Sequence, residues 1–462
     1  MACQAKTPGT DCWRQVEIVV PLPLHQPYTY RLPARWGGLA AIGSRVLVPF
    51  GNRRLTGFIV AGSTEVDARA TKEVLELLDE TPLFTSEQLT LFRWVAHYYM
   101  APLGEVIATA LPAGLELRDA VTLCITDAGR EALAAGKPDD AEANILTALG
   151  KNGCRLTRLQ GRTDLSATEA TLRRLEASGW ISRQRRFNQL VKHKTERFVS
   201  LPHNPPASNQ TKLSTARQRI LAVLADTDGM PLSELKHQCP TAPSLVPKMA
   251  AAGQVLLTEK QLWRDPLGDA IEPDTPRRLN KEQAAVVAAV KDRLGGGFTP
   301  FLLAGVTGSG KTEVYLQLAQ AVLERQQTVL VLVPEIALIT QTEHRFRARF
   351  GDRIGVLHSG LSKGERFDQW QRIRTGAASV VIGARSAIFA PLRNIGLIVV
   401  DEEHDPSYKQ DTPPAYNARD LAVVRARMNQ AVAILGSATP SLQSGHNAQV
   451  LGERRRASRA RS

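Results

Sequence analysis

Over its first hundred residues the chain alternates apolar and polar positions in short runs. Val16-Glu17-Ile18-Val19-Val20, Tyr28-Thr29-Tyr30, Arg45-Val46-Leu47-Val48 and Gly57-Phe58-Ile59-Val60 are separated by turns containing proline and glycine. Such spacing predicts a small strand-built unit, a compact barrel or sandwich. The period then lengthens, and two helices are expected, one near 72–78 and one over Ser86–Tyr99. In the second, Leu89, Phe92, Val95, Ala96 and Tyr99 share a face, which suits core packing better than base stacking.

Between 141 and 259 the pattern repeats itself. Ile145, Leu146, Leu149, Leu156, Leu159, Leu175, Gly179 and Ile181 return as Ile220, Leu221, Leu224, Leu232, Leu235, Met249, Gly253 and Val255, 74 to 76 residues later. Each copy reads as three short helices and a strand, in the manner of a winged helix. Ser166-Ala167-Thr168-Glu169 has the form of a capping box opening the third helix of the first copy. Arg173, Arg174, Arg183, Arg185 and Arg186 are placed to face phosphates if that copy binds DNA, and a spacer role is equally open. The second copy has only Lys248 on its third helix. Pro202–Ser214 is polar and rich in proline, a linker.

From about 276 onward apolar strands alternate with helical segments: 301–304, 328–333, 354–357, 380–382, 397–400 and 432–435. Strictly alternating strands and helices imply a parallel sheet covered on both faces, with ligands at the C-terminal strand ends. The expected fold is therefore multidomain α/β: an N-terminal β unit (14–112), a winged-helix-like unit (115–187), a linker (188–214), a second winged-helix-like unit (215–262), a RecA-like P-loop lobe (276–445) and a disordered basic tail (446–462).

Chemistry sits where that reading puts ligands. Gly305-Val306-Thr307-Gly308-Ser309-Gly310-Lys311-Thr312 follows the first strand of the lobe and opens a helix, the setting of a phosphate loop. Gly305, Gly308 and Gly310 let the backbone close on phosphate oxygens, Lys311 reaches the β- and γ-phosphates, and Thr312 offers its hydroxyl to Mg²⁺. Asp401-Glu402-Glu403-His404 follows the strand 397–400. Asp401 completes the metal shell and Glu402 is the candidate base for the attacking water. ATP and magnesium are the expected ligands.

Composition narrows the partners. The 462 residues are 43% hydrophobic, enough for ordinary cores, and carry a formal net charge of +13. A basic chain points to a polyanion such as nucleic acid, although the last eleven residues alone hold five arginines against one glutamate. Five scattered cysteines without a C-x-x-C pair indicate free thiols, so zinc is not expected. Neither a membrane span nor a signal-peptide core is visible, and a cytoplasmic protein is expected.

Taken together these blocks resemble superfamily 2 helicases, and within them the bacterial replication-restart helicases of the PriA family. The likeness is carried by Leu279–Gln283, Gly305–Thr312, Val333–Leu338, His358–Leu361, Ile382–Phe389, Asp401–His404 and Gly436–Ser441, and near the N-terminus by Pro21–Pro23, Tyr28–Tyr30, Val48–Gly51 and Tyr98-Tyr99. The resemblance implies that Gln283 reads adenine, that Gly383 and Arg385 touch the DNA backbone, and that His404, Ser437 and Thr439 couple nucleotide state to DNA. It implies that Tyr408, Lys409 and Tyr416 belong to an aromatic-rich loop that senses single strands. Tyr28, Thr29, Gly51 and Lys72 would bind the 3′ end of a nascent strand. Thr29 stands where some members carry aspartate, and its hydroxyl is a weaker, uncharged partner for a 3′-hydroxyl.

Implied partners are replication forks, single-stranded DNA, primosome proteins and single-strand-binding proteins. The family's zinc domain and second motor lobe with its arginine finger have no counterpart past Ser441, so a truncated product is expected. Hydrolysis without the finger, worth roughly 10³ to 10⁵ in rate in related enzymes, would be very weak. The alternative reading is a fork-DNA binder whose nucleotide site is a switch or a relic. A P-loop enzyme for small molecules is disfavoured, because no second pocket-forming domain follows the loop.

Overall fold

In a computed structural model the chain is described from 13 to 459, except residues 52, 66–71, 116, 151–153, 156–158, 160–168, 190–193, 203–213, 226, 228, 265–267, 269–270 and 307. The capping box at Ser166–Thr168 and most of the linker lie outside the described residues.

The N-terminal strands are β1 (Gln15–Val19), β2 (Tyr28–Arg31), β3 (Arg45–Phe50), β4 (Arg53–Ser63) and β5 (Glu76–Leu77). They form an antiparallel sheet in the order β2-β1-β4-β3-β5. The segment expected to be helical near 72–78 is extended instead. Its backbone bonds β2 on one side, Arg31 N to Lys72 O (2.9 Å) and Val74 N to Arg31 O (3.0 Å). On the other it bonds β3, Leu75 N to Leu47 O (2.9 Å) and Leu78 N to Arg45 O (3.0 Å). One strand thus satisfies two open edges and closes the sheet into a barrel, which outweighs its local helical pattern. Val16, Ile18, Tyr30, Val46, Val48, Ile59 and Val74 fill the interior.

Helices α1 (Ser86–Tyr98) and α2 (Leu103–Ala110) follow. A capping box closes the start of α1, with the Thr85 side chain accepting from Gln88 N and the Gln88 side chain accepting from Thr85 N. As expected, its apolar face is core: Leu89, Phe92 and Val95 are buried.

The two repeated units are built alike. The first comprises β6 (Leu117–Ile125), α3 (Asp127–Ala134), α4 (Asp140–Leu149), β7 (Cys154–Arg155), α5 (Glu169–Ala177) and β8 (Ile181–Gln189). The second comprises β9 (Lys194–Ser200), α6 (Thr215–Ala225), β10 (Met230–Pro231), α7 (Leu232–Gln238), α8 (Ala242–Ala251) and β11 (Leu256–Leu262). Strand orders β7-β6-β8 and β10-β9-β11 correspond position by position. The repeat positions are the cores: Ile145, Leu146, Leu149, Leu159, Leu175 and Ile181 in one, Ile220, Leu224, Leu235, Met249 and Val255 in the other. Part of the expected linker is therefore strand β9, whose Val199 is buried against β11. Two of the arginines read as phosphate-facing are engaged within the unit, Arg183 with Glu176 (2.9 Å) and Arg174 more loosely with Glu142 (3.7 Å).

The last unit contains α9 (Lys281–Lys291), β12 (Thr299–Ala304), α10 (Lys311–Glu324), β13 (Thr328–Leu332), α11 (Ile336–Phe350), β14 (Ile354–Leu357), α12 (Lys363–Arg374), β15 (Val380–Gly383) and β16 (Ile395–Val400). The short pair β17 (Lys409–Gln410) and β18 (Tyr416–Asn417) follows, then α13 (Ala418–Met428), β19 (Val432–Ser437) and α14 (Leu442–Arg459). Helix α14 occupies the stretch expected to be a disordered tail, where arginine and alanine are good helix formers. Six strands pair in parallel in the order β12-β19-β16-β13-β15-β14.

The four central strands, β19, β16, β13 and β15, alternate between two buried faces. Val329, Val331, Val380, Ile382, Leu397, Val399, Val432 and Ile434 pack with Val314, Leu318, Val322, Ile339 and Phe346 of α10 and α11. Leu330, Leu332, Val381, Ile398, Val400 and Ala433 lie in a second core with Phe367, Trp370 and Ile373 of α12 and Leu421 of α13. Phe92, Val95, Val106 and Ile107 of α1 and α2 belong to that same core. The N-terminal helices are thus built into the second layer of the lobe.

Candidate nucleotide and DNA site

Strand β12 ends at Ala304 and the chain turns through Gly305–Gly310 into α10. Gly308 and Gly310 have φ of 80° and 82°, the left-handed region where a side chain is disfavoured. Gly305 N donates to Ser437 O at the end of β19 (3.0 Å), pinning the loop to the neighbouring strand. Thr307 lies outside the described residues. Lys311, the first residue of α10, folds back so that its Nζ donates to Gly305 O (2.8 Å) and stands 3.4 Å from Glu402 Oε1. Its ammonium thus bridges the start of the loop and the acidic pair.

Strand β16, on the far side of β19 from β12, delivers Asp401 and Glu402. Asp401 Oδ1 accepts from the Tyr315 hydroxyl (3.0 Å). Burial pushes the Asp401 carboxyl up from its ordinary value, while the Tyr315 bond opposes the rise. Burial and the Asp401 charge raise the Tyr315 phenol well above its usual range. Glu402 has φ of 45°, an unusual conformation for a side-chain-bearing residue, and its Oε2 accepts weakly from Ala438 N (3.4 Å). The Asp401 carboxylate and the Thr312 hydroxyl are hard oxygen donors, and a buried carboxylate gains from a cation beside it, so the residues fit magnesium. When bound, that ion would neutralise phosphate charge, and Lys311 and the loop amides would hold phosphate oxygens.

The three residues expected to couple nucleotide and DNA lie together. His404 Nδ1 lies 2.7 Å from Ser437 Oγ, which accepts from Thr439 N (3.0 Å). Gln283 caps α9 with Asn280 and donates from Nε2 to Ser309 O (2.8 Å), so its amide touches the phosphate loop. It lines a cavity of about 220 Å³ with Arg277, Arg278, Gly310 and Arg345.

Two of the residues expected at DNA are buried. Tyr408 is 1% exposed and donates its hydroxyl to Asp401 O (2.6 Å), so it supports the acidic pair from below and is not available for stacking. Gly383 is buried at the end of β15, where a Cβ would meet Leu357 O at 2.3 Å and Ala387 Cβ at 2.5 Å; its smallness serves packing. Arg385 donates to Lys409 O (2.6 Å) and Ser407 O (3.3 Å), clasping the aromatic-rich loop. Lys409 is exposed and pairs with Asp411 (3.2 Å). Tyr416 is buried, and burial pushes its pKa up to about 12 against the pull of the neighbouring Arg385.

In the N-terminal barrel, Tyr28 packs edge-on against Phe50 (5.1 Å between centroids), the residue before Gly51. Thr29, opposite Glu17 in the ladder, points to the other face of β2, and Lys72 joins the same strand at Arg31.

Sequence reasoning passed over Tyr315, Glu403 and Arg419. Tyr315 explains Gly436, at which a Cβ would lie 1.8 Å from the Tyr315 oxygen. Glu403 is 1% exposed and its carboxylate accepts from Ser441 N (2.7 Å), Ser444 Oγ (2.9 Å) and Ser441 Oγ (3.1 Å). Arg419 Nη1 approaches the same carboxylate at 3.4 Å. The apolar strand before Asp401 was the only signal that a third carboxylate there would be buried.

A six-stranded parallel sheet carrying a phosphate loop, an Asp-Glu pair and a Ser-x-Thr strand end defines the nucleotide-binding lobe of a helicase-type P-loop ATPase. The DEAD/DEAH box helicase family matches residues 280–447, and the PriA 3′DNA-binding domain family matches residues 17–112. Replication restart protein PriA of Bacillus subtilis is 33% identical over 438 residues, 92% of this chain and 53% of that protein. The Synechocystis PriA is 37% identical over 444 residues (93% and 52%), and that of Haemophilus influenzae 33% over 444 (94% and 50%). The chain belongs to the PriA family, corresponding to the N-terminal part of its members. It spans about half the length of these relatives. Among the described residues no helix is long and apolar enough to cross a membrane.

Proposed function

We propose that this chain provides the DNA-recognising and ATP-binding parts of a replication-restart DNA helicase, one that engages stalled or abandoned forks and starts primosome assembly. The observation that carries the reading is that the loop after β12 and the Asp-Glu pair after β16 meet across β19, with Lys311 Nζ 3.4 Å from Glu402 Oε1 and with His404, Ser437 and Thr439 bonded to one another beside them. In this reading Lys311 holds the β- and γ-phosphates, Thr312 and Asp401 hold magnesium, Glu402 orients water, and Gln283 stands at the adenine. Arg385 and Lys409 present the DNA-facing loop, with Tyr408 as its internal support.

At the barrel, Tyr28 and Gly51 flank the 3′ end of a nascent strand, Lys72 meets phosphate and Thr29 offers its hydroxyl to the terminal 3′-hydroxyl. Fork DNA, single-stranded DNA, single-strand-binding proteins and primosome components are the partners. The test is fluorescence anisotropy with a forked duplex whose nascent strand ends in a 3′-hydroxyl or a 3′-phosphate. Tighter binding of the hydroxyl end, reduced by Thr29→Ala, is expected. Equal binding of both ends, or no binding, overturns the fork-end reading.

A further inference from the structure

The residue after the acidic pair is joined to the N-terminal unit by a relay of hydrogen bonds that runs through the side chains and backbone of 417–419. Glu403, next to Glu402, is its inner end. Beyond its serine bonds, it is approached by Arg419 Nη1, and the same guanidinium donates to Ser441 Oγ (3.3 Å) and Gln443 Oε1 (3.0 Å). Arg419 N donates to Asn417 Oδ1 (3.0 Å), the N-cap of α13. Asn417 N in turn donates to the hydroxyl of Tyr99, directly after α1 (3.1 Å).

A buried carboxylate is costly unless its lone pairs are met, and Glu403 is met by donors from two separate segments, 417–419 and 441–444. Any movement of one is felt by the other. An apolar track runs beside the polar one, Phe92 against Phe389 (6.1 Å) and Phe389 against Tyr416 (5.1 Å). The apolar contacts set distance but are tolerant of sliding, whereas the Tyr99 bond fixes where α13 begins.

We infer that Tyr99 is a positioning residue that couples DNA held by the N-terminal unit to the nucleotide site, acting through Asn417, Arg419 and Glu403 on the Ser437–Ser441 segment. The inference rests on the functional reading above. Tyr99 touches neither ligand in it, so its loss should leave each separate affinity in place and remove only their interdependence. Coupling of this kind is reciprocal and typically about 5- to 150-fold.

The experiment measures binding of a fluorescent non-hydrolysable ATP analogue with magnesium, with and without a saturating 3′-ended forked duplex, for the full chain and for Tyr99→Phe and Arg419→Lys. Phenylalanine keeps the packing and loses only the hydroxyl. The wild type should bind the analogue about 5-fold or more tightly with DNA present. In Tyr99→Phe the ratio should fall to within about 2-fold of unity, with DNA-free affinity and thermal midpoint unchanged. Arg419→Lys, which loses the fork geometry, should do the same. A wild type that couples and a Tyr99→Phe ratio equal to it overturn the relay alone, as does a wild type that binds both ligands without coupling. A wild type that binds neither overturns the functional reading and the relay with it.

Discussion

Gly436 shows how a single residue records a contact far away in sequence. A Cβ there would fall on the Tyr315 oxygen that donates to Asp401, and nothing near position 436 hints at it. Gly436→Ala should destabilise by about 1–3 kcal/mol, the usual penalty for overpacking, measured by urea denaturation. Most of that loss should vanish in a Tyr315→Phe background, and a loss of equal size there would contradict the contact. Asp401 carries a pH dependence. Its folded pKa is raised above the ordinary 3.8, so the folded state holds the proton more tightly than the unfolded one. Its contribution to stability therefore falls as pH rises from about 3.8 through the raised value. Without magnesium, Asp401→Asn should raise the melting temperature at neutral pH, and the gain should shrink towards pH 4; a neutral-pH melting temperature at or below wild type would oppose it. The loop glycines, Lys311 and the Asp-Glu pair stand out in the sequence because their pattern is local. The burial of Tyr408 does not, because the backbone oxygen it bonds belongs to the folded strand end.

Among the elements, those with their own start and stop signals were read well. Helix α1 begins at a capping box and follows its apolar stripe, and Thr85→Ala should cost about 1 kcal/mol in unfolding free energy, or the box contributes nothing. The parallel strands were visible as apolar runs, and the repeated units as a repeated core. Segment 72–78 was misread because its structure is set by two other strands: with β2 and β3 both offering unpaired backbone, an extended conformation wins. Strand β9 falls in a stretch whose sequence reads as linker, because its partner β11 lies more than fifty residues on.

For the molecule as a whole, the shared core of α1, α2 and the motor lobe is the feature no sequence pattern announces. Burial of the N-terminal stripe was foreseeable; the surface that buries it was not. Phe92→Ala should destabilise the barrel and the lobe together by about 3–5 kcal/mol, seen as one shifted transition by probes in both; a lobe transition left in place would separate them. The same connection makes it physically reasonable for DNA at the barrel to reach the nucleotide site. That site is the centre of the account, and titration of the chain with a non-hydrolysable ATP analogue and magnesium tests it most directly. Wild type should bind saturably and Lys311→Ala about 10-fold or more weakly, as expected for losing a charge-assisted bond. Equal binding by the two, or none by the wild type, would contradict it.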